Sequence, residues 1–135
     1  MPSHIKIIHA HEFIKATAEG TLDFQETKKM LIEVATASEA GPMDNYEILL
    51  DTRKANSNMS ISDLYGLVTE LQKHRKIFSR KIAILSPLER FNYAEFFAIS
   101  ANNNGFQVNA FALFSDAMEW LIISPDLETK DKTKS

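Results

Sequence analysis

Tyr46-Glu-Ile-Leu-Leu-Asp51 is the stretch on which the reading of this chain turns. It is short, apolar in its middle and closed by a carboxylate. A run of that length without polar alternation predicts a strand covered on both faces, the habit of parallel sheets, rather than a helix. Gly41-Pro42 just before it ends whatever precedes, and the polar stretch from Thr52 to Met59 reads as a loop.

Working outward, the downstream side repeats one unit. Ser60-Ile-Ser-Asp63 is a capping box, and Ile61, Leu64, Val68 and Leu71 fall on one face of the helix it opens. Arg80-Lys-Ile-Ala-Ile-Leu-Ser86 is the next strand, closed by Pro87. A helix over 88–103 follows, with Gly105 as its C-terminal cap. Gln107 to Leu113 is the last strand, and Ser115 caps a last helix that carries Trp120 and Leu121 and stops at Pro125. Upstream, residues 4–9 and 13–18 are short β-prone runs joined at His11-Glu12, predicting an antiparallel hairpin. Gly20-Thr21 turns the chain into a first helix. Asp23 with Glu26 offers a capping box, Thr21 is a rival cap, and the periodicity of Phe24, Leu31, Val34, Ala35 and Ser38 carries the helix to about Ser38.

The predicted order is therefore β-β-α-β-α-β-α-β-α. Strands alternating with helices require right-handed crossovers, so the expected fold class is α/β: a mostly parallel five-stranded sheet with four helices. With 135 residues, one domain over 1–125 and a frayed tail over 126–135 are expected.

Bulk properties narrow the function classes. Hydrophobic residues make up 44% and charged residues 24%, an ordinary globular mixture. A net charge of −3 disfavours nonspecific nucleic-acid binding, which needs a basic footprint. With no cysteine, thiolate metal sites, disulfides and Cys nucleophiles are excluded. The start of the chain lacks a signal-peptide pattern and no apolar run approaches the ~20 residues of a membrane span, so the cytoplasm is the expected compartment. No glycine-rich phosphate loop, nucleophile elbow or other catalytic signature appears.

Several segments carry a resemblance. Phe13-Ile-Lys-Ala-Thr-Ala-Glu-Gly-Thr-Leu-Asp23 is similar to the strand, glycine, small residue and acid that lead into the first helix of STAS domains. Tyr46-Glu-Ile-Leu-Leu-Asp-Thr-Arg53 resembles their central strand, and Lys81-Ile-Ala-Ile-Leu85 with Ala110-Phe-Ala-Leu-Phe-Ser-Asp-Ala-Met-Glu-Trp-Leu121 resembles their closing segments. The resemblance spans about residues 4–123 and is to the SpoIIAA-like (STAS-like) family. It implies a SpoIIAA-like fold, related to that of the CRAL-TRIO lipid carriers. It also implies a regulatory or ligand-binding role: better-known members antagonise anti-sigma factors and are switched by serine phosphorylation in an Asp-Ser-Ser-Gly sequence. The matching stretch here reads Asn58-Met-Ser-Ile-Ser-Asp63, so that motif is absent and Ser60 only lies near its position.

The candidate sites follow. Ser60 is either a phosphate acceptor at a helix N-terminus or an ordinary N-cap, and the cap is the expectation. Asp51 and Arg53 at the carboxyl end of the central strand, with Ser86 at the end of the next, sit where open α/β sheets hold ligands. On the third helix Phe91, Ala94, Phe97, Ala98 and Ala101 make one face, while Tyr93, Phe96 and Ile99 make a nearly opposite stripe expected to meet something apolar. His9 and His11 with Glu12 lack a third metal ligand at useful spacing, so neither metal nor cofactor is expected. His74 reads as a solvated helix end. Lys73, Arg75, Lys76, Arg80 and Lys81 form a basic cluster, set to complement the helix dipole or to meet an acidic partner or lipid surface. The expected function is a non-enzymatic binding or regulatory module with no catalytic residue, taking a lipophilic small molecule or docking to a membrane, a protein partner or a second copy. A phosphoserine-switched partner and an enzyme of unrecognised type are the alternatives.

Overall fold

The computed structural model describes residues 4–9, 13–40 and 47–122. Strands β1 (His4–His9), β2 (Phe13–Leu22), β3 (Glu47–Ser57), β4 (Lys81–Leu85) and β5 (Gln107–Phe111) form one sheet in sequential order. Helices α1 (Phe24–Ala40), α2 (Ile61–Lys73), α3 (Phe91–Asn103) and α4 (Phe114–Ile122) follow β2, β3, β4 and β5 in turn. β1 runs antiparallel to β2 and every other pair is parallel, so the sheet is mixed, with one antiparallel edge. The sequence-level order and fold class hold.

A strand order that advances steadily has a physical consequence. Right-handed crossovers that all step the same way place their helices on the same face. Accordingly α1, α2 and α3 share one side of the sheet, against Ile14, Ala16 and Ala18 of β2, Ile48 and Leu50 of β3 and Ile82 and Ile84 of β4. The chain returns over the other side only after β5, where Ala117 and Leu121 of α4 cover Leu49, Ala83 and Leu85. β4, interior and covered on both faces, is buried at every position. β2 alternates, with Lys15, Thr17 and Glu19 turned away from the three-helix side.

Several boundaries differ from expectation. β2 does not turn at Gly20-Thr21: it continues to Leu22, with Gly20 at φ 88°, a left-handed conformation that glycine takes without a Cβ penalty. β3 likewise runs on through the predicted loop to Ser57, because the lengthened β2 offers it a partner from Glu19↔Lys54 to Leu22↔Ser57. Between Thr17↔Asp51 and Glu19↔Lys54 the register slips, so Thr52 and Arg53 together oppose Ala18 in a β-bulge. Their polar side chains hid this half of the strand from a hydrophobic pattern.

The caps are mostly as read. Asp23, not Thr21, caps α1, its Oδ1 accepting from the Glu26 amide at 2.8 Å. The α2 capping box closes both ways: the Asp63 amide donates to Ser60 Oγ at 3.1 Å and the Ser60 amide to Asp63 Oδ2 at 3.0 Å. Ile61, expected on the buried face of α2, is exposed, and Leu67 joins Leu64, Val68 and Leu71 there instead. A 3-10 turn, Leu88–Arg90, precedes α3, and Gly105 at φ 93° follows it. α4 already begins at Phe114, which puts Ser115 in its first turn rather than at its cap. The turn at His11-Glu12, the stop at Gly41-Pro42, Tyr46, Pro125 and the tail over 126–135 lie outside the described residues.

Candidate functional site

The side of the sheet carrying three helices is not filled to its rim. Over the carboxyl-terminal half of β3 and at the carboxyl end of β4 an open cavity of about 90 Å³ remains among the helices and the sheet. Leu50 and Ile84 form its floor; Met30 and Leu31 of α1, Leu64 and Leu67 of α2 and Phe97 of α3 form its walls. This is room for about half a dozen waters, or for part of an alkyl chain, and apolar walls favour the latter. It opens toward the carboxyl side of the sheet, the side on which open α/β sheets place ligands.

The rim is polar. Thr52, Ser57, Ser86, Arg90 and Tyr93 stand around the mouth. The bulge in β3 is what brings this set together: Leu50 and Thr52 face the cavity before it, Ala55 and Ser57 after it, although strict alternation would have turned Lys54 inward. Two of the hydroxyls are committed. Thr52 Oγ1 donates to the Leu85 carbonyl at 2.7 Å, and Ser86 Oγ to the Pro87 carbonyl at 3.1 Å. Arg90 is not. Its Nε is buried without a hydrogen-bond partner, and its guanidinium lies over the Tyr93 ring, 4.1 Å from the centroid.

The residues singled out in the sequence are divided between two faces. Ser86 and Tyr93 border the cavity. Asp51 and Arg53, one pleat out of phase with Leu50 and Thr52, point to the α4 side and line a separate hollow with Lys15, Thr17 and Lys54. There Arg53 closes on Asp51 as a fork, Nε to Oδ1 at 3.0 Å and Nη2 to Oδ2 at 2.9 Å, while its amide also donates to Oδ1 at 3.2 Å. Burial works to raise the Asp51 pKa, but the hydrogen bonds from Arg53 and the positive charges of Arg53 and Lys15 outweigh it. The carboxyl is held below its ordinary range. The same hydrogen bond holds Arg53 above its own. Lys15 and Arg53 also flank the Phe114 ring, at 5.4 and 6.0 Å.

The stripe on α3 is likewise divided. Phe96 is half-buried between helices, edge-on to Tyr65 of α2 at 5.4 Å, while Tyr93 stands at the cavity mouth and Ile99 is 59% exposed. The three residues form no continuous bare ridge, because α2 packs close enough to cover the middle of it. Ala94, Phe97, Ala98 and Ala101 face the core.

The remaining candidates are engaged locally. The Ser60 oxygen accepts the Asp63 amide. His74 Nε2 lies 3.3 Å from Oε2 of Glu70, a buried carboxylate that Lys73 and Lys28 also approach, at 3.5 and 4.0 Å. The basic cluster is spread over separate partners. Arg75 donates to the Asn104 carbonyl at 2.9 Å, Arg80 to Glu47 at 2.7 Å, and buried Lys81 to the Trp120 carbonyl at 2.9 Å. Among the described residues no group of three or more His, Asp or Glu could hold a metal ion, and no helix is long and apolar enough to cross a membrane. His11, and the side chain of His9, lie outside the described residues.

Sequence reasoning missed Arg90, Glu70 and Glu47. Arg90 had a usable signal, since it follows Pro87 by three residues at the carboxyl end of a buried strand. Glu70 had one too, since Lys73 and His74 follow it at i+3 and i+4 on the same helix; Glu47 had none, because its partner Arg80 comes from the approach to another strand.

An α/β domain with three helices on one face, one on the other and an open cavity toward the carboxyl side of the sheet is the class these features define. Among solved structures the chain is similar to the crystal structure of an uncharacterised protein of the DUF3478 family with a SpoIIAA-like fold, from Shewanella loihica PV-4. The TM-score is 0.58 at 20% sequence identity, over 88% of this chain and 93% of that one. The fold is SpoIIAA-like. No family model matches the sequence, and no curated protein matches it.

Proposed function

We propose that this domain is a non-enzymatic binding module of STAS-like, regulatory type that takes a small lipophilic ligand in the cavity over the carboxyl-terminal half of β3 and the carboxyl end of β4. The observation that carries the reading is the cavity itself, open at its mouth and apolar in its depth. Well-packed cores leave few voids larger than a water, so an apolar opening bordered by three helices is a place built to be filled. Among the described residues its lining supplies no acid–base pair: it holds no carboxylate and no imidazole, and the Thr52 and Ser86 hydroxyls are turned to backbone carbonyls. That favours holding a molecule over transforming one. The capping role of Ser60 likewise favours occupancy of the cavity, rather than phosphorylation at that serine, as the regulatory event.

The test is to purify the protein natively and identify released small molecules by mass spectrometry, then to titrate the stripped protein with 1-octanol. Saturable one-to-one binding that a Leu67→Trp substitution blocks, with the fold intact by circular dichroism, is the expected result. Binding that Leu67→Trp leaves unchanged would place the ligand elsewhere.

A further inference from the structure

We propose that the ligand of this cavity is an amphipathic carboxylate, an apolar chain ending in a single negative charge, with Arg90 as the residue that receives its head group. The inference rests on the reading above and adds the chemical class of the ligand.

Among the described residues Arg90 is the one charged side chain in a lining otherwise made of apolar residues, small hydroxyls and Tyr93. Among the described residues it makes no ion pair or hydrogen bond through its side chain, and its Nε is buried. A buried donor on a cation is costly to leave unmet, and every other arginine placed near a neighbour here has found an acceptor: Arg53 has Asp51, Arg75 has the Asn104 carbonyl and Arg80 has Glu47. The hydroxyl oxygens of Thr52 and Ser86 keep acceptor lone pairs, since each donates to a backbone carbonyl, yet neither makes a hydrogen bond to Arg90, and its Nε is left without a partner.

Three further features agree. The Tyr93 ring, 4.1 Å from the guanidinium carbon, fixes the cation at the mouth without neutralising it. Arg90 is also the N-cap residue of α3, a thirteen-residue helix with no side-chain cap and no acidic residue in its first turn, so the positive end of the helix dipole is left at the same rim. The charge count sets the class. One guanidinium matches a carboxylate, a planar monoanion suited to its fork, better than a phosphate monoester of charge near −2. The apolar depth below would take the first carbons of the chain.

The test compares octanoate with 1-octanol, equal in chain length and different in head group, by isothermal titration at pH 7.5 on wild type, Arg90→Met and Arg90→Lys. Wild type is expected to bind octanoate about tenfold or more tightly than octanol, the size of one charge-assisted contact. Arg90→Met should erase that preference while leaving octanol binding within about threefold, and Arg90→Lys, which keeps the charge but not the fork, should retain part of it. Thermal unfolding of each variant confirms that the fold is kept. If wild type binds both probes equally, or if Arg90→Met keeps the preference for octanoate, the carboxylate assignment is overturned and the apolar cavity stands. If neither probe binds wild type, the cavity reading itself falls and this inference falls with it.

Discussion

Ile82 and Ile84 lie two residues apart on one strand, turned to the same face, and differ in what lies above them. Ile82 is 1% exposed in close-packed core, while Ile84 is 7% exposed and forms part of the cavity floor. Truncating either to alanine removes about three carbon groups, ~2.4 kcal/mol of transfer free energy at ~0.8 kcal/mol each. At Ile82 the space has no outlet. A residual void on the order of 70 Å³ would add ~1.7 kcal/mol at ~24 cal/mol per Å³, bringing Ile82→Ala to ~4 kcal/mol. At Ile84 the new space joins a cavity already open to water, the void contribution largely drops out, and Ile84→Ala should cost ~2–2.5 kcal/mol. Urea unfolding of both variants, read as midpoint shifts at constant slope, measures the difference. Saturating 1-octanol, which the cavity takes in every variant, should raise all the midpoints, and that of Ile84→Ala, whose enlarged cavity it can fill, by more than that of Ile82→Ala. Equal costs for the two truncations would mean that the cavity is closed in solution, and the reasoning from its openness would fail.

Other expectations follow from the same geometry. Asp51→Asn should destabilise the protein by ~1–2 kcal/mol at pH 7, the lower part of the range for charged hydrogen bonds because the Arg53 side chain is 40% exposed. Since folding lowers the Asp51 pKa, this contribution is complete above the unfolded value near ~4 and is lost as pH falls through the folded value. Urea midpoints of wild type and Asp51→Asn should therefore converge in acid, and a gap that widened below pH ~4 would contradict the sign. Ser60→Ala should cost ~1 kcal/mol, lowering the thermal midpoint by about 3–5 °C, and Ser60→Asp, which keeps an acceptor for the Asp63 amide, should stay within ~0.5 kcal/mol of wild type. Phe96→Asp should destabilise by ~2–4 kcal/mol whereas Ile99→Asp, one helical turn on and exposed, should stay within ~0.5 kcal/mol; the reverse ranking would put Phe96 on a free surface.

Much of the architecture was legible because burial and composition agree at the sheet centre. Residues 48–50 and 82–85 are covered on two faces and read as unbroken apolar runs, and Ser60 with Asp63 marks a helix start by local chemistry alone. The second half of β3 was illegible for the opposite reason. Thr52-Arg-Lys-Ala-Asn-Ser57 owes its extended form to backbone pairing with β2, which leaves no hydrophobic trace. For the candidate site, the rim at the strand ends was found, but its division between two faces was not. Asp51 and Ser86 each end an apolar run, yet the first takes the pleat phase of Leu49 and the second that of Ile84. The covering of Phe96 depends on how near α2 lies to α3, a distance that helical periodicity in one segment does not contain.

The bulge opposite Ala18 gives β3 one residue more than its neighbour requires, and that spare residue makes the strand unequal toward changes of length. Deleting Arg53 would leave a regular ladder, with Lys54 two places from Asp51 as a substitute cation, and with Ala55 and Ser57 still turned to the cavity. Adding a residue at the same point has no such slack to draw on. It would rotate Lys54 and Asn56 toward the three helices and bring a lysine into an apolar chamber. Across related sequences of this architecture, a gap at this position should be tolerated where an insertion is not. Chain length here carries information that no single side chain does.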